Sequence, residues 1–137
     1  MPAFSVMMGI VYGSHSASLL PFLTFAPSPA STRAPYGTLK RIEIARALAS
    51  RPRLLMLDEP AAGLTHSEVD ELGDLVRSLR TEFDLTILLV EHHMAMVMSI
   101  SDKVVVLDFG SKIAEGMPGS VRDNPAVIEA YLGTAAT

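Results

Sequence analysis

The sequence predicts an α/β fold in which a parallel sheet is flanked by helices. Three apolar runs indicate buried strands: Leu54–Leu57, Leu85–Val90 and Val104–Leu107. Helix-forming stretches separate these runs, and continuous apolar strands that alternate with helices are typical of a parallel sheet covered on both faces. Ligands of such sheets bind at the carboxyl ends of the strands, so the residues that follow the runs are the first candidates for a site.

The charge distribution divides the chain into two unlike parts. The 137 residues include 11 Lys or Arg and 15 Asp or Glu, and none of these precedes Arg33. Residues 1–33 are therefore predicted to be a poorly ordered head, foreign to the body at 34–137, with a Pro/Ser-rich linker at Ala26–Thr32. A membrane span over residues 3–25 is an alternative, but Gly9, Gly13 and Pro21 interrupt its apolar runs.

Composition excludes some classes of function. The formal net charge of −4 argues against a general nucleic-acid binder, so no nucleic acid is expected among the partners. The chain has no cysteine, which excludes disulfides and thiolate metal sites. The head lacks the basic segment that a secretory signal peptide requires.

The first half of the body contains two predicted helices and a strand. Residues Gly37–Ser50 are predicted to be helical, with a stop at Pro52, and the strand Leu54–Leu57 follows. Thr65 and Glu68 have the spacing of a capping box, which marks the start of the second helix. Its apolar residues recur at helical spacing and predict a buried stripe of Val69, Leu72, Leu75, Val76, Leu79 and Phe83.

The second half continues the alternation and then changes to a hairpin. The strand Leu85–Val90 precedes a short helix predicted over His92–Ile100, and the strand Val104–Leu107 follows. Residues 108–111 have turn chemistry and predict a hairpin strand that extends to Ala114. The last helix is predicted over Pro125–Leu132, because Pro favours the first turn and Gly133 follows the end.

Acidic and histidine side chains follow two of the predicted strands. Asp58 and Glu59 end the run Leu54–Leu57, and His92 follows the next strand at the equivalent height. Mg²⁺ prefers carboxylate, water and phosphate oxygens, and phosphoryl transfer to water needs a group that orients or deprotonates the water. One carboxylate for a metal and a second for a water molecule is a reasonable division. A solvated turn is the alternative for the same residues.

A helix start with nearby cations suggests an anion site. Tyr36 and Gly37 open the first predicted helix, and Lys40 and Arg41 lie in its first turns. The free N–H groups and positive dipole end of a helix N-terminus suit an anion. A solvated basic face is the alternative.

Taken together, the motifs resemble those of ATP-binding-cassette (ABC) ATPases. The matching segments are Ala34–Arg41 for the signature motif, Leu54–Glu59 for the Walker B strand, Ala61–Leu64 for the D-loop and Val90–His92 for the switch histidine. Tyr-Gly in the signature, the segment after Asp58, and the ending Asn124–Gly133 are most similar to ATPase subunits of branched-chain amino acid importers.

The resemblance implies roles for individual residues. Asp58 would hold Mg²⁺, Glu59 would be the general base or water-orienting carboxylate, and His92 would contact the γ-phosphate. The signature residues would contact ATP bound to a partner subunit, and Gly63 and Leu64 would couple the two sites of the dimer. The signature residues in question are Pro35, Tyr36, Gly37 and Thr38.

Two departures from the family pattern affect this interpretation. Pro35 stands at the signature serine and has neither a hydroxyl nor an N–H. The chain also contains no G-x-x-x-x-G-K-[ST] segment, whose backbone and Lys cradle phosphates in P-loop proteins. The expected fold is therefore a truncated P-loop-NTPase-like sheet that lacks the Walker A half, and it is left open whether the chain alone is an enzyme. The run Val6–Tyr12 is a candidate replacement for the missing central strand.

The expected function is that of a partial ATP-binding subunit of an importer resembling branched-chain amino acid transporters. The resemblance implies ATP and Mg²⁺ as cofactors, and a homologous ATPase subunit and membrane permease subunits as partners. It implies a cytoplasmic protein, peripheral on the inner face of the plasma membrane. The alternative is a non-catalytic interaction module, or a degenerate fragment, that only completes a partner subunit's ATP site.

Overall fold

Strands and helices alternate along most of the described chain. The computed structural model describes residues 5–11 and 36–132. The elements are β1 (Ser5–Val11), α1 (Tyr36–Leu48), β2 (Leu54–Asp58), α2 (His66–Phe83), β3 (Thr86–Glu91), α3 (Met94–Ile100), β4 (Lys103–Asp108), β5 (Ser111–Gly116), α4 (Pro118–Arg122) and α5 (Pro125–Leu132). The α/β class is confirmed, and the helix at Pro125–Leu132 has the predicted bounds. The short helix α4 was not predicted.

The strands form one five-stranded sheet in the order β2-β3-β1-β4-β5. β2 and β3 are parallel, because α2 carries the chain back between them, whereas β1 is antiparallel to both β3 and β4. β4 and β5 are joined by a tight turn and are antiparallel. The prediction of a parallel sheet is therefore corrected to a mixed sheet, although β2, β3 and β4 do run in one direction.

The central strand of the sheet comes from the uncharged head. The predicted replacement strand over Val6–Tyr12 is confirmed as β1, which lies between β3 and β4. The predicted poor order of the head does not hold for this strand. The rest of the head, the linker and the boundary between residues 33 and 34 lie outside the described residues, so that boundary stays a prediction. Within residues 5–11 and 36–132, no helix has the length and apolar character needed to cross a membrane.

The hydrophobic core lies on one face of the sheet, beneath α2 and α3. Strand residues of β3 and β4 that point to this face are fully buried and meet buried side chains of the helices. The central members are Val76, Ile87, Leu89, Val97, Val104 and Val106. On β2, however, Leu54 and Met56 are 46% and 45% exposed. The expectation of two covered faces is therefore wrong at β2, which is the edge strand of the described sheet.

The second helix begins at the predicted capping box. The Thr65 hydroxyl accepts from the Glu68 N–H, and the Glu68 carboxylate accepts from the Thr65 N–H at 2.8 Å. The predicted buried stripe is confirmed at Val69, Leu72, Val76 and Leu79. Phe83 is a correction, since it is 54% exposed. The helix ends at this residue and Asp84 turns into the left-handed conformation, so the last turn no longer faces the core.

The β4–β5 hairpin follows from its two central turn residues. Phe109 and Gly110 have φ values of 47° and 80°, as a type I′ turn requires. The turn twists in the same sense as the flanking strands, so it fixes an antiparallel pair. The hairpin predicted at residues 108–111 is confirmed, and its second strand extends to Gly116.

The hairpin carries a carboxylate between two lysines, which predicts an acid-dependent loss of stability. Hydrogen bonds from Lys103 (2.5 Å) and Lys112 (2.6 Å) lower the pKa of Glu115 from its usual value of 4.5 to about 2. A lowered carboxylate pKa stabilises the fold above the unfolded-state value, and this contribution is lost as pH falls through the folded-state value. We therefore expect the difference in free energy of unfolding between wild type and Glu115→Gln to shrink between about pH 4.5 and pH 2. Urea denaturation at several pH values measures it, and a constant difference would contradict the assignment.

Candidate functional site

The parallel pair β2–β3 brings two acidic turns to one edge of the sheet. Asp58 is paired with Val90 in the strand register, so the residues that follow each strand leave the sheet side by side. The backbone N–H of Glu59 donates to the Val90 carbonyl at 2.8 Å, which extends the pairing by one residue. The prediction that the two strands end at the same level of the sheet is thereby confirmed.

Glu59 and His92 approach each other across this edge. Glu59 Oε1 lies 3.8 Å from His92 Nδ1, and the two side chains are 52% and 59% exposed. Glu59 has a φ of 44°, an uncommon conformation for a residue other than glycine. Such conformations cluster at functional sites, where the surrounding structure holds them. The pair is therefore both preorganised and open to a ligand.

Asp58 offers an exposed carboxylate one residue before Glu59 in the chain. It ends β2, and its side chain is exposed. Within residues 5–11 and 36–132, no group of three or more His, Cys, Asp or Glu side chains could enclose a metal ion. A single carboxylate still suits Mg²⁺, which keeps several waters and takes substrate phosphates as further ligands. The chemistry of this edge fits Mg²⁺ bound together with a phosphate ester.

Glu91 was given no role of its own from the sequence, beyond its place in the segment Val90–His92 at the end of a strand. Its carboxylate is fully buried and accepts hydrogen bonds from the backbone N–H groups of Ala61, His92 and His93. The sequence did hold a signal for it. Ile87, Leu89 and Glu91 alternate on the core-facing side of β3, so a charged residue falls in phase with two buried apolar ones.

The turn after β2 is compact and internally bonded. The Ala62 N–H donates to the Glu59 carbonyl and the Leu64 N–H donates to the Ala61 carbonyl, each at 3.1 Å. Gly63 has a φ of 78°, which glycine adopts at no steric cost. The candidate residues Gly63 and Leu64 are thus held in a defined loop.

The first helix and this turn enclose a shallow cavity of about 230 Å³. Its lining comprises Gly37, Thr38, Lys40, Arg41, Leu64, Glu68, Glu71 and Leu72. A Cβ on Gly37 would lie 3.0 Å from Glu68 Oε1, so a larger residue there would require the Glu68 side chain to shift. Backbone and side-chain hydrogen bonds from Thr65 lower the pKa of Glu68. Arg41 forms an ion pair with Glu71 at 2.7 Å.

The predicted site residues therefore fall into two groups. Glu59 and His92 meet at the strand ends, with Asp58 next to Glu59 in the chain. Gly37, Thr38 and Leu64 line the cavity, and Glu59 and His92 are not part of its lining. Tyr36 is the first residue of α1, and Pro35 lies outside the described residues.

Comparisons with known proteins point to one family. A family model described as "Branched-chain amino acid ATP-binding cassette transporter" matches residues 111–137. The chain is 49% identical over 136 residues to the high-affinity branched-chain amino acid transport ATP-binding protein BraF of Pseudomonas aeruginosa, covering 98% of this chain and 53% of BraF. It is 51% identical over 100 residues to the high-affinity branched-chain amino acid transport ATP-binding protein LivG of Escherichia coli K12, covering 73% of this chain and 39% of LivG.

The solved structures that match the chain include ATP-binding cassettes. The ADP conformation of MJ1267, an ATP-binding cassette of an ABC transporter, matches with a TM-score of 0.68 at 30% identity. That match covers 77% of this chain and 42% of MJ1267. A nucleotide-free ATP-binding cassette matches with a TM-score of 0.67 at 29% identity, covering 77% of this chain and 43% of that one. The chain spans about half the length, or less, of the relatives that it matches.

Proposed function

Because the chain belongs to the ATP-binding-cassette ATPases of the branched-chain amino acid transport type, we propose that it forms part of the ATP-binding subunit of an importer for such amino acids. The observation that carries the proposal is the approach of Glu59 Oε1 to His92 Nδ1, 3.8 Å, directly beyond Asp58. No comparison favours the alternative of a module that only completes a partner's site.

The strand-end residues divide the chemistry of ATP hydrolysis among them. Asp58 would hold Mg²⁺, which would neutralise charge on the phosphates when bound. Glu59 orients the attacking water and accepts its proton as the water oxygen bonds to the γ-phosphorus. The bond from that phosphorus to the bridging oxygen breaks, and ADP and phosphate leave. His92 donates a hydrogen bond to a γ-phosphate oxygen.

The signature residues and the turn residues Gly63 and Leu64 contact a partner ATPase subunit. The signature residues Pro35, Tyr36, Gly37 and Thr38 contact ATP held by a homologous ATPase subunit, and Gly63 and Leu64 relay between the two sites. The sequence has no G-x-x-x-x-G-K-[ST] segment, the loop that cradles phosphates in P-loop proteins. Permease subunits recruit the protein to the inner face of the plasma membrane.

A hybrid subunit tests the proposal in cells. The hybrid is BraF in which residues 36–132 of this chain replace the aligned segment, and it is expressed in a strain that lacks BraF. We expect the hybrid to restore uptake of branched-chain amino acids, because the strand-end chemistry is intact. The same hybrid with Asp58→Asn should not restore it, because the metal carboxylate is lost. Uptake at the level of the deletion strain, with hybrid protein present in normal amounts, would contradict the proposal.

A further inference from the structure

Glu91 is a buried carboxylate at the end of β3 that accepts hydrogen bonds from three backbone N–H groups. The side chain is 0% exposed, and it belongs to the core-facing side of the strand together with Leu89. Burying a carboxylate is costly unless hydrogen bonds replace its hydration. The hydrogen bonds that compensate for burial of the Glu91 carboxylate therefore indicate which segments this side chain holds in place.

The carboxylate connects two loops that are 30 residues apart in the chain. Oε1 accepts from the Ala61 N–H at 2.7 Å, in the turn that follows β2. Oε2 accepts from the N–H groups of His92 and His93 at 3.1 and 3.2 Å, in the loop that follows β3. One carboxylate oxygen thus binds each loop. The negative charge of the carboxylate strengthens each of these hydrogen bonds.

These two loops carry the reactive pair. Glu59 lies two residues before Ala61, and His92 is itself one of the donors to Glu91. His92 Nδ1 also lies 3.9 Å from Glu91 Oε2, almost as close as it lies to Glu59 Oε1. The spacing of the two loops therefore sets the spacing of the backbone positions from which the Glu59 and His92 side chains extend.

We propose that Glu91 is a positioning residue that ties the turn after β2 to the loop after β3 and so sets the spacing of Glu59 and His92. The tie itself rests on geometry alone, whereas its effect on hydrolysis rests on the function proposed above. A carboxylate is needed because it offers acceptors only. A glutamine side chain offers one acceptor oxygen, and its NH₂ group would face an N–H donor of one loop.

The tie is tested in the full chain by hydrogen exchange of single amides. Glu91→Gln is expected to speed exchange of the Ala61 N–H roughly ten-fold or more relative to amides of the β2–β3 ladder, because the bond to a charged acceptor is lost. The matched control is Leu89→Val, which trims a fully buried side chain of the same strand. That variant should change the ladder amides and the Ala61 amide alike. Equal changes in the two variants would overturn the proposal.

A second measurement needs no variant and applies even if Glu91→Gln does not fold. In the wild-type chain, the Ala61 amide nitrogen should show a scalar coupling through the hydrogen bond to the Glu91 carboxyl carbon. Absence of this coupling, with backbone couplings of the β2–β3 ladder visible, would overturn the tie.

The functional consequence is read in the hybrid subunit. Glu91→Gln should lower the maximal ATP hydrolysis rate several-fold and leave KM for ATP unchanged, whereas Leu89→Val should change neither. Unchanged hydrolysis by Glu91→Gln would overturn the positioning role. If the unsubstituted hybrid were itself inactive, the proposed function would fail, while the exchange and coupling measurements would still decide whether Glu91 ties the loops.

Discussion

Replacing Glu59 by Gln in the hybrid subunit is expected to lower the ATP hydrolysis rate by roughly 10²-fold or more. The amide keeps the size of the side chain but cannot accept a proton from water. The substitution also removes the negative charge of the carboxylate, whose Oε1 lies 3.8 Å from His92 Nδ1. Binding of ATP should persist, because the phosphates are held by other groups. Steady-state phosphate release and an equilibrium nucleotide-binding titration measure the two effects separately.

The matched control for this prediction is Glu82→Gln, which removes an exposed carboxylate from α2, away from the strand ends. It should hydrolyse ATP at the rate of the unsubstituted hybrid. Two outcomes would argue against the role of Glu59. One is a similar loss of rate in both variants. The other is a Glu59→Gln hybrid that retains more than about a tenth of the rate, because that loss would be smaller than the contribution of a general base.

The second large effect is expected at Gly9, in the centre of the sheet. Gly9 pairs with Leu89 on one side and Val104 on the other. A Cβ added there would collide with Ser101 Oγ and lie 3.3 Å from Val97 Cγ1. Overpacking of this kind costs about 1–3 kcal/mol, so Gly9→Ala should lower the free energy of unfolding by that amount. Denaturant titration of the full chain measures it.

A double-mutant cycle shows whether the loss arises from this contact. Ser101 Oγ is buried and has no hydrogen-bond partner among the described residues. Ser101→Ala alone should therefore cost little, and in combination with Gly9→Ala it should recover part of the lost stability. If β1 did not lie between β3 and β4, Gly9→Ala would be nearly neutral and the two substitutions would simply add.

Local chemistry made much of the fold predictable from the sequence. The capping box at Thr65 and Glu68, the turn at Phe109 and Gly110, and Pro at the start of α5 act over a few residues, so each could be identified without tertiary structure. The proximity of Glu59 and His92 followed from the same logic, since parallel strands present their carboxyl ends at one edge.

The features that were missed depend on packing between distant segments. The run Val6–Tyr12 indicated a strand, but neither its direction nor its neighbours can be inferred from its own residues. Leu54 and Met56 are as apolar as the buried Leu55 and Leu57, so composition alone could not show that one face of β2 is exposed. The bond from Ala61 to Glu91 spans 30 residues and appears only once β2 and β3 are aligned.

The rate of ATP hydrolysis by the purified hybrid subunit, at saturating ATP and Mg²⁺, tests the central claim most directly. The claim is that the strand ends of this chain carry the hydrolytic residues of an importer ATPase. It predicts a hydrolysis rate within about ten-fold of that of BraF. A larger deficit would be expected if the general base were misplaced, because a properly placed general base alone contributes at least 10²-fold. A folded hybrid whose rate does not exceed that of its own Glu59→Gln variant would contradict the claim.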